Sequence, residues 1–347
     1  MKDKIGRRKI VKIGMASIGG LIVLLFILLV ILFNQEIQTM MSIKKISVKP
    51  AYEVTYHGDY QLDRYLSAGA KDWNGLFNFV NENLCHGVGK MIYGTYGCSS
   101  FSAKTPEGDY ILARNLDTEI AVPSVIRTDP KGKNKTIGVA NLHVAGWKEN
   151  SALSKTTVLT SPYFTFDGMN AYGVAIASLT VPTGSRVDAD ENKVTIHDLT
   201  VDRVVMDKAE SVEDAIQLLS GFNIKMEAKY PTHYMIADAT GNSVIIEYIN
   251  GSMKVLERNE DYQVATNFIL YQNQKLQGYS SERYRAFDHA LAQRQGIISV
   301  EDALNLLEQN IVPGEGQWSV VYNLTKKTMT VAFYGDYENI HEYGLDQ

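Results

Sequence analysis

Proline and cysteine are scarce in this 347-residue chain, eight of the first and two of the second. Two cysteines cannot build the disulfide framework of a small secreted domain, and no Cys/His cluster shows the paired spacing of a zinc module. With 27 glycines the chain is also no collagen-like or low-complexity sequence. No Gly-x-Ser-x-Gly run offers a serine hydrolase its nucleophile turn. The seven histidines, at 57, 86, 143, 197, 233, 289 and 341, are scattered without a His-x-x-x-His pair. A metal hydrolase is therefore disfavoured, and neither metal nor cofactor is expected. Positive charge is short beyond residue 12, where 28 basic residues face 38 acidic ones, a balance of −10 that excludes a nucleic-acid partner.

One long hydrophobic run is present. Residues 13–33 hold no charge, and from Leu21 onward they are almost purely aliphatic. A bilayer-spanning helix needs about 20 residues, so 13–33 is expected to be a transmembrane anchor. Six basic residues precede it in 1–12, which predicts a cytoplasmic tail, a single pass through the plasma membrane and an extracellular body. A cleavable signal peptide is the competing reading, but the run is too long and ends in Asn34-Gln35-Glu36 without a small-residue cleavage pattern.

Residues 34–97 contain two stretches with apolar residues at helical spacing, 60–66 and 73–80, and read as an N-terminal helical region or pro-segment. Residues 98–347 form one domain, since no Pro-, Gly- or Ser-rich linker divides them. Three β-hairpins are expected there, at 99–114, 233–248 and 318–333, each with turn residues between alternating runs. Ser211 and Ser299 each precede an apolar helical run, with an acid three residues on, and are expected N-caps. Hairpins with paired helices predict an α+β domain whose sheets are covered by helical layers.

The sharpest chemical feature is Tyr96-Gly97-Cys98-Ser99-Ser100-Phe101. Most free cysteines are buried small hydrophobes, but the turn at Thr105-Pro106-Glu107-Gly108-Asp109 sets Cys98 opposite the segment Arg114-Asn115-Leu116-Asp117. A guanidinium near the sulfur favours thiolate, the nucleophilic form. Cys85 is read as structural, and Lys131-Gly132-Lys133-Asn134-Lys135 as a solvated hairpin loop.

This hairpin resembles the opening of the choloylglycine hydrolase family, which includes bile salt hydrolases and penicillin V acylases. In that family a cysteine freed as the N-terminal residue is followed by Arg sixteen and Asp nineteen residues on, as Cys98 is here by Arg114 and Asp117. Asp167-Gly168-Met169-Asn170 resembles the family's DGMN segment. Val264-Ala265-Thr266-Asn267 resembles the strand bearing its oxyanion Asn, and Ser281-Glu282-Arg283-Tyr284 the helix start bearing a second Arg. The resemblance implies a four-layer αββα N-terminal nucleophile hydrolase cleaving linear amide C–N bonds. It implies cutting at Gly97–Cys98, Cys98 as nucleophile with its own α-amine as base, and a thioester acyl-enzyme. Asp117 would orient the amine, Asn267 would donate to the oxyanion, and Arg114 and Arg283 would supply positive charge.

Two features depart from the bile salt hydrolases. Thr180 stands ten residues after Asn170, where those enzymes have a second oxyanion Asn, so Thr180 and Asn170 are candidates for substrate or oxyanion contact. The long segment before Cys98 is closer to relatives that cleave an internal bond, and it implies a zymogen. The expected substrate is a small amphipathic amide. An acyltransferase passing the acyl group to an amine, a conventional Cys/His hydrolase and a non-catalytic surface-anchored binder stay open as alternatives.

Overall fold

The computed structural model describes residues 20–87, 97–149, 151, 153–181, 190–226, 231–249, 251–271, 279–314 and 316–346. The basic tail 1–12, the first part of the 13–33 run, and Tyr96 lie outside them. Helix α1 (Gly20–Leu32) exposes its apolar side chains and meets α2 (Asn34–Met41) at a bend of 73°. Among the described residues no single helix is long and apolar enough to cross a membrane, although this bent pair passes by length and composition together.

The strands before and just after Cys98 are β1 (Lys44–Lys45), β2 (Tyr52–Tyr56), β3 (Gly97–Lys104), β4 (Tyr110–Asp117), β5 (Pro123–Thr128) and β6 (Thr136–Asn141). Helices α3 (Leu62–Ala68) and α4 (Trp73–Asn83) fall where helical spacing predicts them. Next come β7 (Thr165–Asn170), β8 (Ala175–Thr180) and β9 (Val194–His197), then helices α5 (Val201–Lys208) and α6 (Val212–Ser220). Strands β10 (Phe222–Lys225), β11 (Thr232–Ala237), β12 (Ser243–Ile249), β13 (Ser252–Glu257) and β14 (Gln263–Thr266) lead to α7 (Tyr279–Gln293) and α8 (Val300–Glu308). The chain closes with β15 (Gly316–Asn323), β16 (Thr328–Phe333) and β17 (His341–Gly344).

A nine-stranded sheet runs β1-β2-β5-β6-β7-β8-β11-β12-β13, and a six-stranded sheet runs β14-β3-β4-β15-β16-β17. The sheets stack through contacts of β3 and β4 with β8, β3 with β11, and β14 with β12. Helices α5 and α6 cover the outer face of the larger sheet, and α7 and α8 that of the smaller, giving four layers. The hydroxyls of Ser211 and Ser299 accept from the backbone N–H of Asp214 and Asp302, capping α6 and α8 as expected.

The segment before Cys98 is built into the larger sheet as well as being helical. Strand β2 pairs parallel with β5, with Tyr52 opposite Ser124 and Tyr56 opposite Thr128. The Tyr60 hydroxyl donates to both oxygens of the buried Asp207 carboxylate, and Tyr163 donates to the Tyr60 carbonyl at 2.9 Å. The 131–135 turn also departs from a purely solvated loop. Lys133 Nζ lies 3.0 Å from Asp59 and 3.3 Å from Asp63, with its side chain largely covered by the earlier segment.

Candidate active site

Side chains of a strand alternate between its two faces, and that alternation divides the site in two. In β3 and β4, Phe101, Ala103, Ile111 and Ala113 pack with Phe287, Leu291 and Leu307 of the helical layer. Cys98, Leu112 and Leu116 face the other sheet. The register places Cys98 opposite Leu116, Ser100 opposite Arg114 and Gly97 opposite Asp117, as the turn predicts. Arg114 therefore shares the intersheet face with the sulfur, whereas Asp117 belongs to the helical face.

Between the sheets, Arg114 Nη2 donates to Cys98 Sγ at 3.2 Å and to the Ser178 carbonyl at 3.1 Å. Its Nη1 donates to the Phe166 carbonyl at 2.6 Å and forms a buried ion pair with Asp167. Asp167 also accepts from Trp318 Nε1 at 2.8 Å and from the Tyr322 hydroxyl at 2.5 Å. Trp318 and Tyr322 lie four apart on β15 and so share its inner face. A second carboxylate, Asp202 of α5, is buried in the same cluster. Burial pushes its pKa well above the carboxylate range, and one of its oxygens finds no partner among the described residues. Gly168 permits this assembly, because a Cβ there would collide with Met206 Sδ of α5.

The net effect on Cys98 differs from what a neighbouring guanidinium alone implies. The residue is 1% exposed, and burial, helped by the Asp117 charge, raises the thiol pKa against the lowering by Arg114 and the Thr180 backbone. In the continuous chain the sulfur is thus held as a thiol.

On the other side, Arg283 bridges the remaining groups. Its Nη1 donates to Asp117 Oδ2 at 2.8 Å and its Nη2 to Asn267 Oδ1 at 2.8 Å. Asp117 Oδ1 accepts from the Val312 N–H at 3.0 Å. A bulge between Gly316 and Trp318 of β15 lies opposite Asp117 and Leu116, where the two faces diverge. Asn267 follows the last residue of β14, and its Oδ1 accepts from the Cys98 backbone N–H at 2.7 Å. Its amide group donates one hydrogen to the Thr180 carbonyl at 2.6 Å. A second N–H remains in the chemistry of that group.

Cys98, Gly97, Arg114, Asp117, Asn267 and Arg283 are thus gathered at one place, and Thr180 joins them through its backbone. Asn170 does not. It is buried at the other end of β7, opposite Thr136. Its Nδ2 donates to the carbonyls of Met206 and Ala209, and its Oδ1 accepts from the N–H groups of Tyr172 and Val174. With its amide spent on backbone, Asn170 is a turn and helix-docking residue. Cys85 is also away from the chemistry, a buried thiol pushed up to about 12 by burial, with its sulfur 3.5 Å from the Thr156 carbonyl. Asp167, Asp202, Trp318 and Tyr322 were not candidates from sequence, though Asp167 opens the DGMN segment. Among the described residues no group of three His, Cys, Asp or Glu side chains is placed to hold a metal.

Two stacked sheets between helical layers, with a cysteine at the head of a central strand, define the N-terminal nucleophile hydrolase class. The family model for linear amide C–N hydrolases of the choloylglycine hydrolase family matches residues 98–306, and the chain belongs to that family. A bile salt hydrolase/transferase from Clostridium perfringens is 28% identical over 172 residues, 47% of this chain. The match spans about half of that curated relative, 51%. Two variants of conjugated bile acid hydrolase from Clostridium perfringens have the same fold, with TM-scores of 0.55 and 0.52 at 17% and 18% identity. Each alignment covers 72% of this chain and 93% or 92% of the other.

Proposed function

We propose that this protein is a membrane-anchored amidase in which cleavage of the Gly97–Cys98 bond makes Cys98 the N-terminal nucleophile. The observation that carries the reading is that the Cys98 nitrogen is held as well as its sulfur. That nitrogen lies beyond the β14 ladder, which ends at the Thr266 and Ser99 pair, and it is taken by the Asn267 side chain instead. Once freed, an α-amine with a pKa of about 7.7–8.0 serves as base near neutrality.

In the cleaved enzyme the amine takes the thiol proton and the thiolate attacks the amide carbonyl. The second N–H of Asn267 donates to the oxyanion, a contribution of about 2.7–4 kcal/mol for one donor. The amine returns the proton to the leaving nitrogen, and water, deprotonated by the same amine, hydrolyses the thioester. Asp117, fixed by Arg283 and the Val312 N–H, sits beside Gly97 and orients the new terminus. The substrate is an amphipathic N-acyl amide, the class to which the conjugated bile acids named for the relatives belong. Residues 13–33 hold the protein in the plasma membrane with the catalytic domain outside.

The test is intact mass and N-terminal sequencing of the full chain beside Cys98→Ala, followed by N-acyl amides of increasing acyl length. A new terminus at Cys98 in the wild type alone, with turnover, is expected. An uncut chain in both proteins, with no turnover, overturns the reading. Retention of the full chain in the membrane pellet after alkaline extraction, with an externally protease-accessible body, tests the anchor.

A further inference from the structure

Asn267 holds the Cys98 nitrogen, yet it stands outside any strand, on a segment that leaves β14 at Thr266. Backbone after a strand end is free to drift unless its N–H groups are bound. The start of the segment is tied by a turn, Phe268 N–H to the Thr266 carbonyl at 2.8 Å. Ile269 is buried against Val181 and Ile249.

The far end is gripped by a carboxylate from the other sheet. Glu247 of β12 accepts from the Leu270 N–H on Oε1 at 2.8 Å and from the Tyr271 N–H on Oε2 at 2.9 Å. Both carboxylate oxygens are thus committed, and Oε1 also lies 3.0 Å from Nδ1 of His233 on β11. Glu247 and His233 are fully buried. An unpaired buried carboxylate is costly, so this one is retained with charge-assisted partners on both oxygens. In the register of β11 with β8, His233 stands opposite Leu179 and Thr232 opposite Thr180. The strand that steadies Glu247 therefore also flanks Thr180, whose carbonyl takes the Asn267 amide.

We propose that Glu247, steadied by His233, is a positioning residue for Asn267. It clamps the segment 267–271, which follows β14 of the smaller sheet, onto the larger sheet and so sets where the Asn267 amide meets the Cys98 nitrogen and the oxyanion. This rests on the amidase reading above.

The test is Glu247→Gln in the full chain. Glutamine keeps the shape but offers one acceptor oxygen and turns an NH2 toward a backbone N–H or His233. A displacement of the order of 1 Å at a catalytic group costs about 100-fold. We expect kcat, per chain bearing a free Cys98 terminus, to fall about 10- to 100-fold with KM changed by less than about threefold. In an Asn267→Ala background the same substitution is expected to change kcat by less than about threefold, because the group it positions is gone. Hydrogen exchange of 268–271 is expected to rise in Glu247→Gln with the rest of the chain unchanged. Unchanged kcat, multiplying losses in the double variant, or unchanged exchange each overturns the proposal. If the wild type turns over no N-acyl amide, the amidase reading fails by itself, and loss of exchange protection in Glu247→Gln alone decides whether the clamp exists.

Discussion

Replacing Arg114 by Met tests the buried charge cluster behind Cys98. The variant keeps an apolar stem but takes one donor from the Phe166 carbonyl, which retains the Ser178 hydroxyl, takes another from the Ser178 carbonyl, and leaves Asp167 without its cation. Trp318 and Tyr322 still donate to that carboxylate. Breaking a buried ion pair by removing one partner costs about 3–5 kcal/mol. The pH dependence follows from its sign. Burial already holds the Asp167 pKa above the ordinary carboxylate range, although Arg114 lowers it, and removing Arg114 raises it further. A carboxyl raised in the folded state gives its full stability below the unfolded value of about 3.9 and loses it as pH climbs toward the folded value. The deficit of Arg114→Met should therefore widen with rising pH once pH passes the wild-type Asp167 value, by at most about 1.4 kcal/mol per unit, until the higher value of the variant is reached. Urea unfolding in a Cys98→Ala background keeps every chain uncut and comparable. Adding Asp167→Asn should recover at least about 1 kcal/mol at pH 8, since a pair removed together costs less than a pair broken. A deficit below about 1 kcal/mol that is flat with pH, or a double variant less stable than Arg114→Met, would refute the reasoning.

Asp202→Asn should gain stability relative to wild type as pH rises from 5 to 8, because a carboxyl pushed up by burial costs the wild type more as pH rises; urea midpoints at the two pH values check this, and a gap that moves the other way rejects it. Asn170→Ala should lower stability by about 1–3 kcal/mol through the orphaned N–H groups of Tyr172 and Val174, since the Met206 and Ala209 carbonyls keep the Asn134 amide, while kcat of the folded protein stays within about twofold; a selective loss of kcat would put Asn170 in the chemistry. After cleavage the piece ending at Gly97 should co-elute with the catalytic piece in non-denaturing size exclusion, held by β2 on β5 and by Tyr60 on Asp207. Tyr60→Phe should ease its release by about 1–3 kcal/mol in a denaturant titration, and a catalytic piece eluting alone from the wild type would contradict the packing.

The hairpins and caps were legible because their signals are local. Pro106 and Gly108 mark the β3–β4 turn, alternation marks its arms, and Ser211 and Ser299 lie three residues before the N–H groups they accept from. Cys98, Arg114 and Asp117 followed from that register, and Asn267 and Arg283 from family resemblance. Tyr52-Glu53-Val54-Thr55-Tyr56 alternates as a strand does, but the identity of its parallel partner, 72 residues away, leaves no local trace. Asp167, Asp202 and Glu247 escaped for a related reason. Each acts on a group from another sheet or loop, and which carboxylate meets which donor is decided by how the layers stack. The same holds for Lys133, whose covering acids Asp59 and Asp63 come from the segment before Cys98.

The two intervals after Cys98, sixteen to Arg114 and nineteen to Asp117, have opposite parity, and that parity has physical content. Paired positions in this hairpin are of equal parity, Cys98 with Leu116 and Ser100 with Arg114, so the even residue comes to the intersheet side, where the sulfur lies. The odd residue turns to the helical side, where Arg283 of α7 waits, and it is paired with Gly97 rather than with Cys98. One hairpin thereby delivers a cation to the thiol and a carboxylate to the peptide before it, without the two neutralising each other. A slip of one residue in register would exchange the faces. It would bring Asp117 into the gap with Asp167 and Asp202 and send Arg114 to the helices, which makes the burial of two carboxylates around Arg114 itself a constraint that fixes the register of the hairpin at Cys98.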